Sequence, residues 1–149
     1  MTNVSLKDWQ RNGWLREHKT SPEEITDLFA IAARDLKAAN TPGLHDDWRL
    51  NIAYNAALQL ARAALAACGY QAERGAHHYR VIQSLEFTIG MDAKSIRKFD
   101  TFRKKRNVSD YERSDAVSEL EVEEMRKLAT WLRTEVEVWL AKNHPALKP

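Results

Sequence analysis

Apolar residues recur at intervals of three and four along most of this chain. Ile25, Leu28, Phe29, Ala32 and Leu36 fall on one face of a helix. That segment opens with Ser21, Pro22 and Glu24, which predicts a capping box with proline in the first turn, and "NTPG" at 40–43 stops it. A second stripe, Trp48, Ile52, Ala56, Leu60, Ala63 and Ala67, is widened by Ala53, Ala57, Ala64 and Cys68. Asp46 and Asp47 suit the positive start of that helix and Gly69 its end. So many small residues allow neighbours close approach, which predicts the central helix of a bundle.

Three more helices follow. "HHYRVIQSLEFTIG" offers Val81, Ile82, Leu85 and Ile89 to a core. "DAKSIRKFDTFRKKR" offers Ile96, Phe99 and Phe102, with Asp92 as N-cap. The pattern loosens through "NVSDYERSDAV" until a Ser118/Glu121 capping box opens the last helix, whose Val122, Met125, Ala129, Leu132, Val136 and Trp139 are apolar and which ends before Pro145. The predicted helices run near 21–39, 46–68, 77–89, 93–106 and 119–142. Ala56, Leu60 and Ala64 are expected to be buried beside Leu85, Phe99 and Leu132. No stretch of useful length alternates with period two, so no sheet is expected. The expected fold is all-α, an antiparallel bundle of about five helices. It forms one domain over 1–149, with 1–20 as an extension that docks Trp9, Trp14 and Leu15 and with 143–149 as a tail.

Composition fits a globular domain: of 149 residues, 44% are hydrophobic and 30% charged. The longest apolar segment is interrupted by Asn55, Gln59 and Arg62, so no membrane span is expected. "MTNVSLKDWQ" is followed by no apolar run of the signal-peptide kind. The single cysteine, Cys68, sits in "LARAALAACG" as a small apolar residue and cannot form an internal disulfide. A reducing, cytoplasmic setting is therefore expected.

Charge singles out one region. The chain as a whole carries +2, but residues 97–113 hold seven cations against three anions, a local excess of four positive charges. At its centre is "RKKRNVSDY". Arg103 and Arg106 lie three apart and share a helix face, while Lys104 and Lys105 fan outward. Two readings stand. Cations suit a helix C-terminus on dipole grounds alone, by about 0.3–1 kcal/mol each. Alternatively, guanidinium forks suit phosphate, and a neighbouring amide and phenol, Asn107 and Tyr111, can orient sugar or phosphate oxygens.

Other chemistry is sparse. Adjacent His77 and His78 point apart on a helix and do not make a metal pair, and no HExxH or paired Glu-x-x-His motif is present. Neither a GxGxxG nor a Walker phosphate loop occurs. Neither a metal nor a cofactor is expected.

The Ala-rich "WRLNIAYNAALQLARAALAACGY", the following "HHYRVIQSL" and the basic "FRKKRNVSDY" before a last helix together resemble the HEPN superfamily over about residues 21–142. These are small all-α domains of prokaryotic toxin–antitoxin, RNA-processing and defence systems. The resemblance implies a homodimer that brings two copies of residues 103–111 together, a homodimer for which the five tryptophans offer ample aromatic surface. It also implies RNA or nucleotide binding through Arg103, Lys104, Arg106 and Asn107, and a small nucleotidyltransferase as partner. The family motif is an arginine followed after four to six residues by histidine, and ribonuclease members cleave RNA with that pair and no metal. Arg106 resembles the motif arginine and Asn107 its polar neighbour, but Tyr111, Glu112 and Arg113 stand where the histidine would be. Asp110 and Tyr111 are then the remaining catalytic candidates beside Arg106. Tyrosine, with a pKa near 10, accepts a proton poorly at neutral pH, and the surrounding cations hold Asp110 a weak base. In some relatives a tyrosine near the motif receives a nucleotide; Tyr111 stands five residues from Arg106 and not the usual seven. The expectation is a binding or partner-docking module with weak or no ribonuclease activity. The alternatives are an active metal-independent endoribonuclease and a purely structural bundle. His77 or His78 supplies an imidazole only if the fold carries it to the basic stretch.

Overall fold

A computed structural model of the chain describes residues 5–111 and 117–149, with backbone alone for 107–111. The fold is all-α: α1 (Leu6–Arg11), α2 (Pro22–Ala38), α3 (Asp46–Ala67), α4 (His77–Gln83), α5 (Ala93–Tyr111) and α6 (Glu119–Asn143) account for most of it. No helix among the described residues is long and apolar enough to cross a membrane.

α3 is the central element and packs most extensively on α6 and α2, then on α4 and α5. Its alanines explain this position. Ala53, Ala56, Ala57, Ala61, Ala63 and Ala64 are all fully buried, so helices approach it on several sides without leaving gaps. The expected core forms around it: Leu60, Leu85, Phe99, Met125 and Leu132 are fully buried. A polar seam crosses the same helix. Asn55 Nδ2 donates to Asp35 Oδ2 of α2 (2.7 Å), Gln59 Nε2 to Asn55 Oδ1 (2.9 Å) and Arg62 Nη1 to Gln59 Oε1 (2.7 Å), which satisfies groups that burial would otherwise strip of water.

Caps follow local chemistry. The Ser118/Glu121 capping box is complete, and Asp92 accepts from the backbone of Ser95. Ser21 caps α2 through Glu24 N, but the box is half-made: the Glu24 carboxylate turns to Thr20 Oγ1 (2.6 Å) and His18 Nε2 (2.8 Å).

Four expectations need correction. Trp48, in the first turn of α3, is 59% exposed, because the stripe drawn through it reaches the core only from Ala56 onward. α4 ends at Gln83, where a 3-10 turn (Ser84–Glu86) takes over; buried Ser84 donates its hydroxyl to Val81 O (2.7 Å) and finds its partner in the preceding turn. α5 continues past Arg106 to Tyr111. A two-stranded antiparallel sheet also exists, where none was expected. β1 (Leu15–Glu17) pairs with β2 (Tyr70–Ala72) in the register Leu15↔Ala72, Arg16↔Gln71, Glu17↔Tyr70. Three residues are too few to show alternation. The sheet forms because Gly69, at φ +90°, turns the chain out of α3 beside the extension. It fastens residues 5–20 to the bundle, with Trp9 and Leu15 buried and Trp9 edge-on to Trp14 and Phe87.

Candidate nucleic-acid interface

The site begins with Tyr54, fully buried on α3. Its ring meets Phe99 of α5 edge-on at 5.7 Å, and its hydroxyl lies 3.2 Å from His78 Nδ1 of α4. One α3 side chain thus sets α4 against α5. Before α4 the backbone takes a left-handed turn at Ala76 (φ 53°), a conformation that costs a non-glycine residue about 1–2 kcal/mol. The turn aims four consecutive side chains, His77, His78, Tyr79 and Arg80, around the start of a short helix.

An open cleft results, lined by Arg74, Ala76, His77, His78, Tyr79 and Arg80 on one side and by Arg103 and Arg106 of α5 on the other. Four guanidinium groups and two imidazoles border it, and no carboxylate is among its described lining residues. Arg103 is held by a short bond from its Nε to Asp100 Oδ1 (2.6 Å), which also raises the guanidinium's pKa. The Arg106 guanidinium carbon lies 5.4 Å from the centre of the Tyr54 ring.

Arg103 meets the cleft as one half of an ion pair with Asp100. His78 is held below the ordinary histidine pKa by burial first, then by Arg106, His77, Arg103 and Arg62. His77 is lowered by burial, then by Arg62 and Arg16. Both imidazoles therefore favour the neutral form until an anion enters. Burial holds the Tyr54 phenol above its usual range, outweighing the lowering by Arg106 and Arg103, so its hydroxyl keeps its proton.

The four consecutive cations separate. Arg103 and Arg106 reach the cleft. Lys104 does not line it; its side chain is 70% exposed, with Nζ 3.6 Å from Asp100 Oδ2. Lys105 crosses to α6 and lies 3.5 Å from Glu121 Oε2. The side chains of Asn107, Asp110 and Tyr111 lie outside the described residues. The structure does bring His78 to the basic stretch, the juxtaposition on which an imidazole role depends. Arg74, Tyr79, Arg80 and Tyr54 were not singled out from the sequence. The density of cations and rings in "ERGAHHYR", 73–80, is the signal that marks three of them.

His77 also lines a small, partly open cavity of about 30 Å³ with His18, Glu24, Arg62 and Gln71. That is room for a water or two. Burial raises the Glu24 pKa, but bonds from Thr20 and His18 outweigh it and hold the carboxyl below its usual range. The Cys68 thiol is pushed up to about 11 by burial and is no nucleophile at neutral pH. Among the described residues no group of three His, Cys, Asp or Glu side chains is placed to hold a metal. Compared with protein-family models and with curated proteins, the chain gives no match.

Proposed function

We propose that the cleft between α4 and α5 binds RNA or nucleotide phosphate, as the working surface of a HEPN-like module of the toxin–antitoxin or defence type in a cytoplasmic setting. One observation carries the reading: four arginines and two histidines converge from α4, the turn before it and α5 on an open cleft with no carboxylate among its described lining residues. A solvated helix end explains Lys104, but it does not explain why Arg74 and Arg80, from another element, border the same space as Arg103 and Arg106. Bringing like charges together costs energy that a polyanion returns. Binding of a labelled 12-nucleotide RNA, followed by anisotropy over a range of salt, tests it. Affinity is expected to fall steeply with salt and to collapse in Arg103→Ala/Arg106→Ala. Equal binding by the double variant hands the stretch to the solvated-helix reading.

The placement of His78 beside Arg106 favours a second reading, weak metal-independent cleavage. A ribose 2′-hydroxyl attacks the adjacent phosphorus, its proton passes to His78 Nε2 in the tautomer whose Nδ1–H donates to the Tyr54 hydroxyl oxygen, and the bond to the 5′-oxygen breaks as that oxygen takes a proton from water, whose hydroxide then recovers the imidazolium proton. Arg106 balances the charge that builds on phosphorus. Asp110 and Tyr111 remain candidates for the same proton. Cleavage of RNA in EDTA that is lost in His78→Ala but kept in Asp110→Asn and Tyr111→Phe assigns the base to His78; no cleavage by the parent leaves a binding module.

Association completes the proposal, as a homodimer and with a small nucleotidyltransferase as partner. Leu120, Trp131 and Val138 are exposed apolar side chains on one face of α6, which also carries Glu124 and Lys127, and self-association would cover the three. Among the five tryptophans, Trp48 and Trp131 remain exposed; the others pack on the core, so the dimer argument rests on these three side chains and not on tryptophan number. Sedimentation is expected to show a dimer at micromolar concentration, weakened by Trp131→Ser; a monomer at high micromolar concentration counts against it.

A further inference from the structure

We infer that Tyr79 is a stacking platform for an unpaired nucleobase, so that the cleft takes single-stranded nucleic acid in preference to duplex; this rests on reading the cleft as a phosphate site. Tyr79 lies in the first turn of α4, on the cleft wall, and is 37% exposed. Its surroundings are cationic. The Arg103 guanidinium carbon is 5.6 Å from the ring centre and that of Arg80 is 5.5 Å away.

Those separations matter by comparison. Arg80 lies 3.6 Å from the centre of the Trp14 ring, which is full stacking contact. Its flat face is therefore committed to Trp14, and Trp14 is in turn braced edge-on by Trp9. Arg80 is thus fixed beside Tyr79 without covering it. Arg103 is fixed likewise by Asp100 at 2.6 Å. The tyrosine ring thus has two held guanidinium groups within cation–π range, at 5.5 and 5.6 Å, and neither as close as the 3.6 Å contact of Arg80 on Trp14.

This arrangement matches what an unpaired nucleotide presents. A base offers a flat face for an aromatic ring and, a few ångströms away, a phosphate for a guanidinium. A duplex offers phosphates, sugars and groove edges but no base face, because its bases are stacked on one another. Simple phosphate binding does not require a ring at this position; a serine or alanine would open the cleft further.

The test uses the full chain and three probes: a labelled 12-nucleotide single strand, a duplex of equal phosphate number, and inorganic tripolyphosphate as competitor. The single strand is expected to bind at least about tenfold more tightly than the duplex. Tyr79→Leu, which keeps apolar bulk and loses the π face, is expected to weaken single-strand binding about fivefold or more, with duplex and tripolyphosphate binding unchanged. Tyr79→Phe is expected to bind as the parent does. Equal affinity for single strand and duplex, or undiminished single-strand binding by Tyr79→Leu, overturns the inference. If tripolyphosphate and duplex still bind through Arg103 and Arg106 in that case, the phosphate site itself stands. Failure of all three probes removes both. Tyr79 is a surface residue, and unchanged thermal melting of the variants confirms that binding alone is being read.

Discussion

The Tyr54 hydroxyl lies 3.2 Å from His78 Nδ1, a contact between the central helix and the wall of the cleft. The phenol is buried and keeps its proton, so a single hydrogen bond orients an imidazole whose charged form burial and three arginines disfavour. Tyr54→Phe keeps the packing on Phe99 and removes this bond. It is expected to cost about 0.5–1.5 kcal/mol in urea unfolding. Tyr54→Ala removes the ring as well and is expected to cost about 3–5 kcal/mol. A phenylalanine variant as unstable as the alanine one contradicts this division.

Ala56 is fully buried on α3, where α2, α4, α5 and α6 all pack. Ala56→Leu adds three carbons to a site without space for them. The expected cost is about 1–3 kcal/mol, read as a lowered melting temperature. A variant that melts with the parent shows that the helix face can yield, against the close approach that its alanines imply.

The four cations of α5 are expected to differ in RNA binding according to where they point. Arg106→Ala and Arg103→Ala each remove a guanidinium from the cleft and reduce the slope of log affinity against log salt by about one. Lys104→Ala, off the cleft, is expected to change affinity little. Arg106→Lys keeps the charge but loses the fork, and is expected to fall between the two. A uniform effect across all four positions would assign binding to net charge and not to the cleft.

The histidines make both stability and binding depend on pH. The folded-state pKa values of His77 and His78 are lowered from 6.5 by burial and by neighbouring arginines. Acid therefore favours the unfolded chain, which takes up the protons first. Stability is expected to be complete above about pH 6.5 and to fall as the pH drops from there through the lowered folded values. Binding runs the other way, because a phosphate in the cleft favours the charged imidazoles. RNA affinity is expected to rise on acidification over the same range. His77→Gln/His78→Gln is expected to flatten both profiles; a rise in affinity that survives the double variant assigns the proton to another group.

The helices and their caps were legible in the sequence because both are local. Three- and four-residue spacing marks a buried face wherever the chain folds, and Ser118 reaches Glu121 without help from any other element. The same locality made Ala56, Leu60 and Ala64 readable as core. It failed where a neighbour decided the outcome. Trp48 has the right spacing but sits beyond the edge of what α3 packs against. Residues 15–17 become a strand only because Gly69 delivers residues 70–72 beside them.

Of the candidate site, only the dense cationic stretch was legible in the sequence, since charge needs no fold to be counted; its expected place at a helix end was not, because α5 runs on to Tyr111. Which of those cations face a common space, and what else faces it, was decided by tertiary structure alone. Arg106 and His78 belong to separate helices with no shared local pattern. They meet because Tyr54 packs on Phe99 of one helix and bonds to His78 of the other. Lys104 and Lys105, adjacent to the arginines in the chain, are turned away by the 100° that each helical residue adds. A cleft is a relation between elements distant in sequence, and the physical terms that fix it, burial of a shared ring and one partly buried hydrogen bond, act only after the chain has folded.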